Sequence, residues 1–413
     1  MGNFSDVIII GGGPCGSFSA LDLSKRGFDV IVFEEHSQIG VPCHCAGHIS
    51  INGLKNLGLY PLPENVVENI FYGAKFYSPK GSNFSVRFTR PVSCTVNRIL
   101  FDKHIANFAE KAGARYSMNS RVESLIIVNG HVKGVNVEKC EGKSKFFGKI
   151  VLDAEGISAR ILKQASLLPP RGDRFVNGVQ AEVESVKNIE SDVVEVFLGS
   201  EYALGFYAWL IPKSETEAKV GLATKIGNPK LLLQRLMRKH PVASIKLRGA
   251  KILQEYYHPI TLGGPIPKTY SNGFLVVGDA ASQVKPTTGG GIIFGLNSAK
   301  IAAEVVAEAL NKNDFSAEFL GAYQKHFMRL FSFDLKVMLK IREMLDKLPD
   351  GKLDDVIRLC GRLHLDEVFK NLKEIDFQGR TLLKAVQNPR VLVAFASFSL
   401  NYLLRSFKPK IVW

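Results

Sequence analysis

The chain is short of the features that would place it in several large classes. It has six cysteines in 413 residues, and only Cys43 and Cys45 stand close together. A single Cys-x-Cys without a second pair does not make a zinc site, so no metal is expected. No run of about 18 apolar residues free of charge occurs, which argues against a membrane-spanning helix. There is no internal repeat, no low-complexity tract and no nucleic-acid recognition motif. The basic residues are scattered, so no nucleic-acid partner is expected. The opening residues, MGNFSDVIIIGGG, have neither the basic region nor the cleavage site of a secretory signal. Acidic residues are also scarce, 39 against 53 Lys and Arg, for a formal charge of +14. Such an excess favours solubility, and it equally attracts anionic lipid or an acidic partner. The expected location is the cytoplasm, free or peripheral at the inner face of the membrane.

What is present alternates between strand-period and helix-period segments, which indicates an α/β class. Val7 to Ile10 is a continuous apolar run, as in a strand buried on both faces. Ser17 to Arg26 reads as a helix, and DVIVFEE as a second buried strand, giving a βαβ unit. Between the first strand and helix lies Gly11-x-Gly13-Pro14-Cys15-Gly16. Gly11 permits a tight turn, Gly13 lets a pyrophosphate approach the helix N-terminus, and Gly16 lets helix and strand pack closely. Glu34 follows Gly16 by 18 positions (34 − 16), near the ~20 expected of a ribose-binding acid. Cys15 occupies a small-residue position, read as steric tolerance rather than thiol chemistry.

Farther on, Asn129-Gly130 between two strand-like runs marks a hairpin. NRILFDKHIANFAEKAGA is an amphipathic helix. Phe175 to about Thr224 alternates as an antiparallel sheet does, and Lys230 to Lys239 is helical. After the apolar strand GFLVVGDAA comes VKPTTGGGIIFG, with Gly289, Gly290 and Gly291 just before Ile292 and a helix. Asp279, at the end of a buried strand, calls for a polar ligand or caps the turn that follows. The remainder is helical, with Phe327 to Leu348 the clearest amphipathic run.

LDAEGISAR and GFLVVGDAASQVKPTTGGGI resemble paired signatures of the FAD-dependent p-hydroxybenzoate hydroxylase-like superfamily. The second segment, together with GVPCHCAG and LGFYAWLIPK, resembles the archaeal geranylgeranyl reductase family. The resemblance spans about Asp6 to Leu310. It implies a Rossmann-type FAD-binding domain (1–75, 95–165 and 265–310), an antiparallel-sheet substrate domain (76–94 and 166–264), and a C-terminal helical region (311–413). It implies FAD as cofactor and a geranylgeranylated lipid as substrate. It further implies that Asp279 meets ribityl or ribose hydroxyls, that Arg98 contacts the cofactor, and that the backbone of Val122 meets the adenine. The loop of Cys45, Ala46 and Gly47 resembles one that brings a cysteine near the flavin ring. Tyr207, Trp209 and Pro212 match the substrate motif PxxYxWxFP, with Leu204 and Ile211 in place of its Pro and Phe.

Independently of the resemblance, Tyr207 and Trp209 are two apart and share a strand face. They suit the wall of an apolar tunnel, or Trp209 is a core residue. Hydrogenating an unactivated double bond needs a hydride and a proton. Cys45, His44, His48 and Tyr207 are all capable proton donors, and Cys45 is the expected one. No second GxGxxG is present, so electrons are expected from NAD(P)H docking transiently or from a ferredoxin-like carrier. An FAD monooxygenase and a flavin-containing lipid or electron carrier are the rival classes. Near the C-terminus, RVLVAFASFSLNYLLRSFKPKIVW brackets an apolar segment with basic residues. It reads as a helix packed on the body or as one resting on a membrane surface.

Overall fold

The computed structural model describes residues 3–370 and 374–406. The chain forms two compact units, each built from three separate segments. The first takes the chain up to Cys43, then Asn97–Arg174 and Thr261–Leu335. The second takes His44–Val96, Phe175–Ile260 and the chain from Lys336 onward.

In the first unit, continuous apolar runs become strands buried on both faces. On one face Ile8, Ile10, Ile31 and Phe33 pack against Val122, Leu125, Val132 and Val135 of an antiparallel strand pair, and the other is covered by helix Pro14–Lys25 and its neighbours. Val7, Ile8 and Ile9 have no exposed surface. Among the described residues this sheet has eight strands. Its main path runs Tyr270–Ser271, Phe274–Val276, Gly142–Asp153, Phe4–Ile10, Val30–Phe33, Arg115–Ser117. The central pairings are parallel and in step: Ile10 pairs with both Phe33 and Asp153, and Asp153 pairs with Val276. Four strands therefore end on one edge, where an open α/β sheet places its ligands.

The hairpin expected at Asn129-Gly130 joins Arg121–Val128 to His131–Lys139. Both turn residues have positive φ, 50° and 73°, as a two-residue primed turn demands. The helix expected from Ser17 begins three residues earlier, as Pro14–Lys25, since a proline is pre-set for the first helical position. Likewise the helix after the glycine triplet is Ile292–Lys312, followed by Ala317–Lys347.

The second unit holds a seven-stranded sheet in the order Lys251–Thr261, Phe175–Glu184, Ala218–Thr224, Ala208–Pro212, Val193–Phe197, Gly73–Tyr77, Asn83–Arg87. The Phe175–Thr224 portion is antiparallel, as its alternation predicts. Val179, Ala181, Val220 and Leu222 face Leu233 and Leu236 of helix Pro229–Lys239 and form the unit's main core. The opposite face carries Trp209, whose indole Nε1 donates to Gln180 Oε1 at 3.1 Å. Gly221 makes room for that ring. A Cβ there would lie 2.5 Å from Trp209 Cζ2 and 2.6 Å from the Val179 carbonyl oxygen. A separate three-stranded sheet pairs His48–Ser50 and Val67–Phe71 with Ser93–Val96.

Among the described residues no helix is long and apolar enough to cross a membrane. The basic-flanked C-terminal segment is helical over Pro389–Ser406, and its last seven residues, 407–413, lie outside the described part.

Overpacking at Gly221 is the direct test of the sheet geometry. Gly221→Ala should cost about 1–3 kcal/mol in urea unfolding and shift Trp209 emission, read in a Trp413→Phe background.

Candidate functional site

The edge where the parallel strands end collects most of the residues singled out in the sequence. Gly11 follows Ile10 with φ of +93°, and a Cβ on it would lie 2.6 Å from the Ala154 carbonyl oxygen. Gly16 is tighter still, with its Cβ position 1.9 Å from the Gly11 carbonyl oxygen. Gly13 is different: no atom stands within 4 Å of where its Cβ would be. It forms the N-cap of helix Pro14–Lys25 without any side-chain capping bond, and no acidic residue lies in the first turn. Geometry denies the first amides of a helix an acceptor one turn back. Their dipoles and open surroundings make a ready seat for an anion.

Glu34, at the end of the second strand, is nearly buried. Its Oε2 accepts from Gly12 N at 2.8 Å, and its Oε1 accepts from His36 N at 2.9 Å and lies 2.6 Å from His36 Nδ1. The acid assigned to a ribose thus also holds the glycine loop. Ser120 N donates to the Glu34 carbonyl oxygen at 2.8 Å. That bond sets the following strand, and with it Val122, beside this corner. The Val122 side chain points into the core.

Across the edge, Asp279 lies in the short 3-10 turn Gly278–Ala281. Val277 holds the N-cap position and no side chain caps the turn, so capping is not the role of Asp279. Burial raises its pKa, and the Arg98 guanidinium opposes that rise. Arg98 opens helix Arg98–Lys111 and makes a bidentate bond to Asp102, at 3.0 and 2.9 Å. Cys15 packs its sulfur against Gly278 and Gly295, where Cβ atoms would lie 2.9 and 2.5 Å away. Burial, and then the Asp279 carboxylate, push its thiol up. A half-buried thiol pushed up in this way and wedged between two glycines is a poor nucleophile.

Gly289, Gly290 and Gly291 lead into Ile292. Gly289 has φ of +68°, and its N donates to the Lys285 carbonyl oxygen at 2.8 Å. Gly291 is the N-cap of helix Ile292–Lys312, again without a side-chain cap or an acid in the first turn. Its Cβ position is 2.6 Å from Asp279 Oδ1. Two helices thus start bare on the same sheet edge, held together where Cys15 meets Gly295. Sequence reading missed Asp153, the last residue of its strand. Its Oδ1 accepts from Glu155 N at 3.0 Å, while Oδ2 is buried with no hydrogen-bond partner. Burial, then the neighbouring Glu155 carboxylate, raise its pKa well above the usual range. In the sequence it closes an apolar run and lies within LDAEGISAR, a segment matched as a whole and not for this residue. Bare helix starts, an open Gly13 and an orphaned buried oxygen fit an anionic, hydroxyl-bearing dinucleotide such as FAD.

Cys45, Ala46, Gly47, Tyr207, Trp209 and Pro212 belong to the second unit. Tyr207 and Trp209 stack edge to face with centroids 5.9 Å apart, and Trp209 packs with Ala46, Phe71 and Ile211. Burial pushes the Tyr207 phenol up, with Arg342 opposing. The Pro212 carbonyl oxygen accepts from Asn69 Nδ2 at 2.9 Å. In the loop, Gly47 N donates to Cys45 Sγ at 3.4 Å, His48 Nε2 lies 2.8 Å from Ser93 Oγ, and His44 stacks on His258. One residue that the sequence did not flag holds this loop. Lys219, on the Trp209 face of the sheet, donates its Nζ to the Ala46 carbonyl oxygen at 3.1 Å and to Glu68 Oε2 at 2.5 Å. A lysine only 5% exposed is tolerated because both partners are at hand.

A family model described as an FAD binding domain matches residues 5–326. The chain is 32% identical to Digeranylgeranylglycerophospholipid reductase 2 of Methanopyrus kandleri, over 92% of this chain and 98% of that protein. It is 32% identical to the digeranylgeranylglycerophospholipid reductase of Methanocaldococcus jannaschii, over 92% of this chain and 96% of that one. Among solved structures, a geranylgeranyl bacteriochlorophyll reductase-like protein from Thermoplasma acidophilum superposes with a TM-score of 0.84 at 26% identity, covering 96% of this chain and 99% of that one.

The contrast between Gly13 and Gly16 separates binding from folding. Gly13→Ala should leave the apoprotein melt unchanged and lower flavin absorbance per polypeptide, whereas Gly16→Ala should depress the melt itself. In the second unit, Lys219→Met leaves the partly buried Glu68 with only the longer 3.9 Å contact to Lys213 and frees the Ala46 carbonyl. It should cost about 3 kcal/mol in urea unfolding and speed alkylation of Cys45 several-fold, read by mass mapping.

Proposed function

We propose a function on the premise that this chain belongs to the FAD binding domain family and to the digeranylgeranylglycerophospholipid reductases. It hydrogenates the C=C bonds of geranylgeranyl chains on membrane-lipid precursors, with FAD as cofactor. The observation that carries this reading is coverage. The similarity takes in nine-tenths of this chain and nearly all of the relative, so both units are included.

Reduced FAD, when bound, supplies the hydride. The chain's own residues bind, orient and protonate. Amides at the Gly11–Gly16 turn and the start of helix Pro14–Lys25 take the pyrophosphate, with Pro14 and Cys15 shaping the turn. Glu34 takes ribose hydroxyls, the Val122 backbone meets the adenine, and Asp279 takes hydroxyls of the ribityl or ribose portion. Arg98, held straight by Asp102, adds positive charge at the cofactor. Gly289, Gly290, Gly291 and Ile292 lay bare backbone along the ring.

Tyr207, Trp209 and Pro212 line the path of the polyprenyl chain. Tyr207 stands edge to face with Trp209 as one wall of that path. The proton goes to the carbon that the hydride does not take, and Cys45 is its donor. Ala46 and Gly47 set the donor's position, and the Lys219 ammonium fixes the Ala46 carbonyl. Hydride plus proton adds two hydrogens per double bond. Electrons come from NAD(P)H or a ferredoxin-like carrier that docks transiently. The protein works peripherally at the cytoplasmic face of the membrane, and its +14 charge supports that placement.

The purified flavoprotein, reduced without air and mixed with a geranylgeranylated phospholipid, should reoxidise as the lipid gains two hydrogens per double bond by mass. Product containing oxygen, formed only under air, would make the protein a monooxygenase. No turnover of any polyprenyl lipid would make it a carrier. Cys45→Ala should lower the rate of reoxidation by lipid while FAD content stays full. An unchanged rate removes Cys45 from proton transfer.

A further inference from the structure

After Asp376 the sequence contains no acidic residue, yet it carries Arg380, Lys384, Arg390, Arg405, Lys408 and Lys410. Within this stretch, helix Pro389–Ser406 has no charged residue from Val391 to Leu404. One side of that helix is anchored. Val391 and Ala394 are buried in a cluster with Phe84, Val86 and Ile357. The Tyr402 hydroxyl donates to Glu343 Oε1 at 2.8 Å and accepts from Lys340 Nζ at 3.2 Å. The other side presents Leu392, Val393 and Leu400, each more than half exposed, with exposed Ala396 between them. The spacing 393, 396, 400 is one helical stripe, and Arg390 begins it.

A folded protein does not ordinarily hold a row of large apolar side chains in water without a partner. We propose that this face of helix Pro389–Ser406 is the surface by which the protein rests on an anionic bilayer. The partner is chosen by charge. A segment with only basic residues around an apolar stripe complements acidic headgroups over hydrocarbon, and repels a basic second copy of itself. The helix is not apolar enough to span the membrane. With its inner side fastened by Val391, Ala394 and Tyr402, it lies in the interface plane. Arg390 is paired with Glu367 at 3.1 Å, and both are exposed. Such a pair is weak enough to yield to a phosphate. This inference rests on the peripheral placement proposed above and identifies the surface responsible.

The holoenzyme is sedimented with vesicles of phosphatidylglycerol or of uncharged phosphatidylcholine. The wild type should partition to the anionic vesicles. The combined variant Leu392→Gln, Val393→Gln, Leu400→Gln should lose about tenfold or more of that partition. Its circular dichroism, its FAD content and its reduction of detergent-dispersed lipid should be unchanged. Lys384→Gln with Arg390→Gln should weaken binding to the anionic vesicles only. Equal sedimentation of wild type and triple variant overturns the proposal. So does a wild type that binds neither vesicle, or a wild-type dimer that the triple variant converts to monomers. Failure to reduce detergent-dispersed lipid would instead count against the reductase reading and leave the vesicle result to be judged alone.

Discussion

The carbonyl oxygen of Gly11 stands 1.9 Å from the point where a side chain on Gly16 would begin. That closeness sets the carboxyl edge of the first unit. It brings helix Pro14–Lys25 against strand Phe4–Ile10, so that the helix begins at the strand's end with its first amides bare. The same closeness recurs where Cys15 meets Gly278 and Gly295, which draws the second bare helix start alongside the first. Backbone amides at a helix start are fixed in direction and cost no side-chain entropy when they bind. An anion-binding edge made this way is rigid before any ligand arrives, and a carboxylate such as Asp279 can be held partly buried beside it.

Local patterns made much of the fold legible. Asn129-Gly130 specifies its hairpin because both positions need positive φ. The glycine turn declares itself because the glycines fall between an apolar run and a helical face. The Phe175–Thr224 alternation predicts its antiparallel strands for a similar reason, since one face packs an apolar core and the other carries polar side chains such as Gln180 and Lys219. Residues whose meaning depends on distant partners were not legible. Lys219 reads as an ordinary basic residue until strand pairing sets it beside Glu68 and Ala46, more than 150 positions away. Asp153 looks like a strand terminator until the parallel register sets it beside Ile10 with one carboxylate oxygen buried and unpartnered. Asp279 shows the converse. Its sequence position allows a cap, and only the turn geometry removes that role.

The second unit places charge where an antiparallel sheet would ordinarily place apolar side chains. Lys219 shares a face with Trp209 and meets Glu68 of strand Val67–Phe71, and Lys213 joins them by lying 3.9 Å from Glu68 while pairing with Glu182 at 3.0 Å. Burying such a network stabilises little by itself. It does hold one carbonyl, that of Ala46, by a directed bond from the Lys219 ammonium, which an apolar contact would not do with the same directionality.

Each unit is assembled from three stretches of chain that alternate along the sequence. On the ribosome, Phe4–Ile10 emerges early, but a neighbour of Gly142–Asp153, the strand Phe274–Val276, is made only after all seven strands of the other sheet. The nascent first unit must therefore wait with an open sheet margin while the second is synthesised. Neither can be finished as an independent early product, and no single cut in the gene would release one whole. Quality control during synthesis, more than the stability of the finished enzyme, is where such an interleaved chain is most exposed.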